Sequence, residues 1–261
     1  MTAILPLSLQ SMQQDMTHLE RIASNLANAL TPGYKRDVSY ARPMTLAPAS
    51  FDQYLATPAA STEASATTQA TLAVQIDSRP GTLKATRQAL DLAVAGPGYF
   101  EVQTEQGLAY TRQGNFRLDA RGRLVTAAGD AVMSKGGDIT LPHASPAIDG
   151  AGNVYESAAA NDGTRAPLAQ LKIVQFDTPE LLQRLGNGLL APATGDTAGP
   201  KAVSEAALQV RQGYLENANV SSVQEMVQLM QTMRHFESMQ KVAVGYDEML
   251  GIAIRKLGET S

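Results

Sequence analysis

SNLANALTPGYKR, Ser24–Arg36, closes an apolar run of helical spacing and then breaks it with Thr31-Pro32-Gly33. Upstream, Leu5, Leu9, Met12, Met16, Leu19, Ala23, Leu26 and Leu30 follow one another in alternating steps of four and three. That is a heptad seam, the pattern of a helix with a helical partner. Pro6 fits the first turn, where its missing N–H does no harm, and Pro32 with Gly33 ends the helix. A helix from about Leu5 to Leu30 is roughly 40 Å long. Asn25 and Asn28 sit three apart, near one another and off the seam, although Asn is a middling helix former. A frayed helix end tolerates such amides; an interface uses them.

A second seam occupies the other end of the chain. Leu229, Thr232, Phe236, Met239, Ala243, Tyr246, Leu250, Ala253 and Leu257 step by three and four, and only Thr232 is not apolar. Ser222 with Glu225 three later reads as a capping box, with Asn219 and Ser221 as competing caps. The helix then runs from about Ser222 to Leu257, near 50 Å. Met226, Met230 and Met233 widen the apolar surface beyond a two-stranded seam; such a stripe is plain core or an adaptable interface. Two helices each patterned for a partner find each other first, and the apolar surface left over has to meet other chains.

Between them the pattern changes. Residues 44–75 are rich in Ala, Thr, Ser and Pro, which reads as an extended connector with room for a short helix around Phe51–Leu55. From 76 the period becomes two: Leu90, Leu92 and Val94, then Phe100 and Val102 about Glu101, then Phe116 and Leu118 about Arg117. Asp119–Gly122 (DARG) reads as a hairpin turn, AAGD and SKGGD as further turns, and LKIVQF (Leu171–Phe176) as another strand. TPELLQRL, Thr178–Leu185, reads as a short helix. The expected fold class is α+β: an antiparallel β-rich central domain with long N- and C-terminal helices that pair as a coiled coil. The expected units are 1–43, 44–75, 76–212 and 213–261.

Composition narrows function. The chain has 261 residues, net charge −4, no Cys and no Trp. Without a basic run there is no phosphate-tracking surface for nucleic acid, and without Cys no disulfide or thiolate-bound metal. No apolar stretch is long enough to span a bilayer, and MTAILPLSLQSMQQDM lacks the basic start of a secretory leader. Gly96-Pro97-Gly98 is not a phosphate loop, because Glu101 stands at the third glycine's place and a strand pattern follows. His18, His143 and His235 are scattered over three segments, whereas a metal needs convergent ligands. Glu101 and Glu105 make no case for a carboxylate pair. The expectation is no catalysis, no cofactor and no small-molecule substrate.

NLANALTPGYKR resembles the N-terminal signature of the flagellar rod, hook and hook-associated axial proteins, through Asn25, Leu26, Ala27, Asn28, Thr31, Gly33, Tyr34 and Lys35. Ser24 departs from the Asn that many members carry. Leu90–Val102, Tyr110–Val132 and Gly213–Lys241 resemble the rod subfamily's core and C-terminal blocks, so about half the chain is covered, in order. The resemblance implies a structural subunit of the flagellar rod that self-assembles through its terminal helices and transmits torque from motor to hook. Its partners are then itself, other rod and hook subunits and the type III export apparatus. Its place is the periplasmic rod, reached without a cleaved signal peptide, and SKGGDITLP favours the proximal-rod over the distal-rod type. With this resemblance Asn25 and Asn28 are read as bonding a neighbouring subunit. The assembly surface is expected at Asn25, Leu26, Asn28, Thr31, Gly33, Tyr34, Met226, Met230, Met233, Phe236, Met239, Tyr246 and Leu250. The alternative is a secreted β-domain binding module or scaffold that merely dimerises through its helices; it would keep its ligand affinity after loss of the first 35 residues.

Overall fold

The computed structural model describes residues 4–42, 71–142, 145–156, 166–192, 199–203 and 208–258. Most of the 44–75 connector, the short helix expected around Phe51–Leu55, and His143 lie outside the described residues. Helix α1 is Ile4–Ala27 and helix α2 is Ser222–Gly258; among the described residues these are the α-helices, with a 3-10 turn at Pro179–Leu181. At 1.5 Å per residue they measure about 36 and 55 Å. They pack against each other and run antiparallel, since Asn25 meets Glu225 at one level and Asp15 meets His235 at another.

The strand between Tyr99 and Thr104 is the centre of a ten-stranded antiparallel sheet. On one side it pairs with Gly107–Thr111, and on the other with Ala131–Ser134 and Ile173–Gln175. The two-residue period puts Phe100, Val102, Ala109 and Ile173 on one face, within the main core that includes Phe116, Leu124, Val132 and Leu171. Tyr99, Tyr110, Val174 and Leu190 point the other way, into a second cluster closed by Ile76, Phe176 and Leu182. Both faces are thus covered, which is why Tyr99, Phe100, Glu101 and Val102 are all buried and do not alternate. The DARG turn forms as expected, with Asp119 N–H donating to Arg123 O at 2.9 Å and Leu118 paired to Leu124.

The expected fold class needs correction on two points. First, the central part is not one sheet. The described strands form five sheets, and three two-stranded ones tie distant segments together: Asp37–Arg42 with Thr71–Ile76, Leu92–Val94 with Val210–Gln212, and Leu83–Ala85 with Tyr214–Glu216. Second, the helices pair, but α1 does not present its expected coiled-coil seam. On α1, Leu9, Met16 and Ala23 are exposed, as is Leu30 beyond its end, while Ser8, Arg21, Ile22 and Asn25 are buried and Met12, Asp15, His18, Leu19 and Leu26 half-buried. The buried stripe keeps the step of four and three but is displaced by one residue at every other position, to Ser8, Asp15 and Ile22. Two of those three are polar, so the contact is held by hydrogen bonds as much as by apolar packing. On α2 the expected positions Leu229, Thr232, Phe236, Met239, Ala243 and Tyr246 are half-buried, as are Gln228, Gly245 and Gly251.

Two smaller expectations also fail. TPELLQRL is a 3-10 turn followed by the strand Gln183–Gly186, because Leu189–Ala191 offers a pairing edge. α1 ends at Ala27, short of Leu30, because the side-chain amide of Asn28 turns back to its final turn.

Candidate functional site

The signature stretch Asn25–Asp37 lies where both helices meet the sheet. Asn28 closes α1: its backbone N–H and its Nδ2 both donate to Ser24 O, at 3.2 and 2.9 Å. Its Oδ1 accepts from the Thr31 hydroxyl at 3.2 Å. Pro32 needs no N–H partner, and Gly33 then turns with φ +68° and donates its N–H to Glu216 O at 2.7 Å. A β-carbon on Gly33 would stand 2.4 Å from the backbone carbonyl of Arg112, so the turn is pressed directly on the sheet.

Asn25 is 0% exposed. Its Oδ1 accepts from Asp37 N–H at 2.9 Å and Tyr34 Oη at 3.2 Å, and its Nδ2 donates to Asp37 O at 2.9 Å and Glu225 Oε2 at 3.4 Å. An amide has two donors and two acceptor sites, and all are taken within the chain. Asn25 thus extends the Asp37 backbone pairing into α1, and Asn28, half-buried, ends the helix.

Lys35, Arg36 and Asp37 alternate in direction along extended chain. Lys35 is buried and donates to Glu216 Oε1 at 2.6 Å and Arg79 O at 2.9 Å. Burial pushes its ammonium below the ordinary lysine range, against the opposing pull of Glu216. Arg36 donates from Nε to Glu225 Oε1 at 2.5 Å. Asp37 pairs with Arg184 at 2.8 Å, whose guanidinium also stacks 4.3 Å over the Tyr34 ring. Burial raises the Tyr34 phenol. Glu225 is therefore no capping-box residue: it is drawn away from the helix end by two partners from the N-terminal block. Asn219 is no cap either. Its Oδ1 accepts from Arg36 N–H at 2.6 Å, and its Nδ2 donates to Asp77 O at 2.9 Å and Arg79 O at 3.0 Å.

Further along α1, Arg21 donates to Asp37 O at 3.1 Å and lies 3.3 Å from His18 Nδ1, while His18 Nε2 meets Ser39 Oγ at 3.0 Å. Burial, then the Arg21 charge, holds His18 below 6.5, with Asp15 opposing. A base whose folded pKa is depressed binds more protons unfolded, so stability is lost as pH falls from 6.5 through the folded value. Acidification across that window is expected to lower the melting temperature, and His18→Gln, which keeps an acceptor for Arg21, is expected to flatten the slope. Thermal melts of both proteins between pH 7 and pH 5 check this.

The remaining expected assembly residues divide. Gly33 and Tyr34 are buried in the joint, and Leu26, Thr31, Phe236, Met239 and Tyr246 are half-buried. Met226, Met230 and Met233 are exposed, at 51, 54 and 48%. The side chain of Leu250 lies outside what is described. Reading by motif missed Glu216, Glu225, Asn219, Arg112 and Arg184. The signal for Glu216 and Glu225 was the opposite charge of two short blocks, Lys35-Arg36 and the carboxylates around Asn219, towards the two ends of the chain; Arg112 and Arg184 carried none. Among the described residues no cluster of metal-binding side chains occurs and no helix is long and apolar enough to cross a membrane.

This arrangement has known relatives. Residues 93–157 match the family described as flagellar hook protein FlgE/F/G D1 domain, and 211–256 match flagellar basal body rod FlgEFG protein C-terminal. Flagellar basal-body rod protein FlgF of Escherichia coli (strain K12) is 31% identical over 236 residues, 88% of each chain. Flagellar basal-body rod protein FlgG of Bacillus subtilis (strain 168) is 31% identical over 260 residues, 93% of this chain and 94% of the relative. FlgG of Agrobacterium fabrum is 31% identical over 97% of this chain. Relatives of two names match equally well, so the similarity does not choose a rod type. The matched segments include the 211–256 region that supplies Glu216, Asn219 and Glu225 to the joint, and the full-length similarity extends over the helix–sheet–helix order: the chain belongs to the flagellar basal-body rod proteins, structural subunits of that basal body.

Proposed function

We propose that the chain self-assembles, and joins other rod and hook subunits, through the outward face of its paired terminal helices, and that the polymer passes torque from motor to hook. The observation that carries this is the apolar surface the helix pair leaves uncovered. Val223, Met226, Met230, Met233, Met249 and Ile252 on α2, with Leu7 and Met16 on α1, are each at least 48% exposed. Monomers seldom leave so much apolar surface along one feature, and flexible Met side chains suit neighbours met at slightly different angles around a tube. The family resemblance supports two further parts of the reading: export by the flagellar type III apparatus without a cleaved leader, and a periplasmic position.

The test is Met226→Glu with Met230→Glu and Met233→Glu. Exposed substitutions away from the joint change monomer stability by only about 0.5 kcal/mol each, so circular dichroism and melting temperature of the purified chain should hold. In cells lacking the native copy, the variant should be absent from purified basal bodies and swimming should be lost. Normal incorporation and swimming would overturn the proposal.

A further inference from the structure

Glu216 ends the strand Tyr214–Glu216, six residues before α2 begins at Ser222. Three other segments bear on it. Its Oε1 accepts from Lys35 Nζ at 2.6 Å and from Gly81 N–H at 2.8 Å. Its Oε2 lies 3.4 Å from Arg112 Nη1 without a hydrogen bond. Its backbone accepts from Gly33 N–H at 2.7 Å and pairs in register with Leu83. Lys35, Glu216 and Arg112 are 2, 2 and 4% exposed, so one carboxylate stands between two buried cations. Arg112 in turn donates to Val94 O at 2.8 Å and to Gly96 O, in the strand and turn that precede Tyr99–Thr104.

Such a cluster is a poor means of adding stability. Desolvating three charges offsets most of their attraction, and apolar residues of like volume often serve as well. What charges add is direction: short bonds at set angles, where an apolar contact allows sliding. The segments joined here are those that fix the helices to the sheet, namely the turn after α1, the strand before α2, the loop at Arg79–Gly81, and Arg112 beside the central strand.

We propose that Glu216 is a positioning residue whose contacts with Lys35, Gly81 and Arg112 lock the angle between the helix pair and the β body, making this joint the element through which force on the helices reaches the sheets. The force-transmitting part rests on the rod reading above; the locking part does not.

Lys35→Met separates this role from plain stabilisation. It removes one of two cations and leaves Glu216 with Gly81 N–H and the charge of Arg112, so the melting temperature should fall by only a few degrees. Backbone amides of 31–36 should nevertheless exchange about tenfold faster, while Tyr99–Thr104 and Gly107–Thr111 keep their protection. Cells carrying it in place of the native copy should assemble rods in normal number yet swim at less than half the native speed in viscous medium. Glu216→Gln, which keeps an acceptor for Gly81 but no charge, should show the same local exchange. Unchanged exchange in 31–36, or exchange that rises equally throughout the sheets, overturns the joint. Local loosening with normal swimming overturns its role in transmission. Should the native chain itself prove absent from basal bodies, the rod reading falls while the exchange result still decides whether Glu216 locks the angle. If Glu216→Gln does not fold, Lys35→Met alone decides.

Discussion

Gly33→Ala is expected to destabilise the protein by about 4 kcal/mol and to lower its melting temperature by about 10 °C. Two effects add. At φ +68° an L side chain is strained, which costs about 1–2 kcal/mol. The new methyl would also stand 2.4 Å from Arg112 C and O and 2.5 Å from Gln113 N. These are backbone atoms of the sheet, which no rotamer change can move, so the turn itself must lift. Lifting it breaks the Gly33–Glu216 bond of 2.7 Å and draws Lys35 from its carboxylate. Gly150 is the control: nothing approaches its β-carbon position, and alanine there should be neutral within about 0.5 kcal/mol. Thermal melts of the two variants give the comparison; equal melting temperatures would show that the turn is not pressed on the sheet.

Glu225→Ala is expected to be comparably damaging, at about 3–5 kcal/mol. Glu225 is wholly buried and serves Arg36 Nε at 2.5 Å and Asn25 Nδ2 at 3.4 Å. Its loss leaves a guanidinium that is only 17% exposed without its ion pair, and one of the two amide hydrogens of buried Asn25 without a partner. Because both orphaned groups belong to the N-terminal block, the damage should appear there first. Protease cleavage within α1 and 37–42 should accelerate before the central strands open. Glu225→Gln keeps an acceptor and should lose less. Urea denaturation of the three proteins, followed by helix signal, ranks them; a loss below about 1 kcal/mol for alanine would mean that Arg36 finds another partner.

Local signals were read well from residues alone. α2 was expected from Ser222 to Leu257 and spans Ser222–Gly258, because apolar steps and a polar start are properties of consecutive residues. The DARG hairpin likewise depends on Asp119 and Gly122, which lie within one turn of each other. Errors arose where two candidates sat side by side. Ile22 and Ala23 both continue a step of four and three, and only the partner helix chooses between them. The same holds for Gln183–Gly186, an apolar-polar run that is helical by composition until the strand Leu189–Ala191 pairs with it.

What the order of residues determined by itself was the architecture in outline: two long terminal helices, a β-rich middle, an abrupt stop at Thr-Pro-Gly, and the family signature across them. The tertiary structure alone decided the use of the polar groups. Asn25 turns inward, Glu225 abandons its helix end for Arg36, 189 residues away, and Glu216 collects Lys35 from 181 residues away. The reason is physical. Helix and turn formation is governed by neighbours a few bonds apart, whereas the partner of a buried charge is set by which distant segments exclude water from it together.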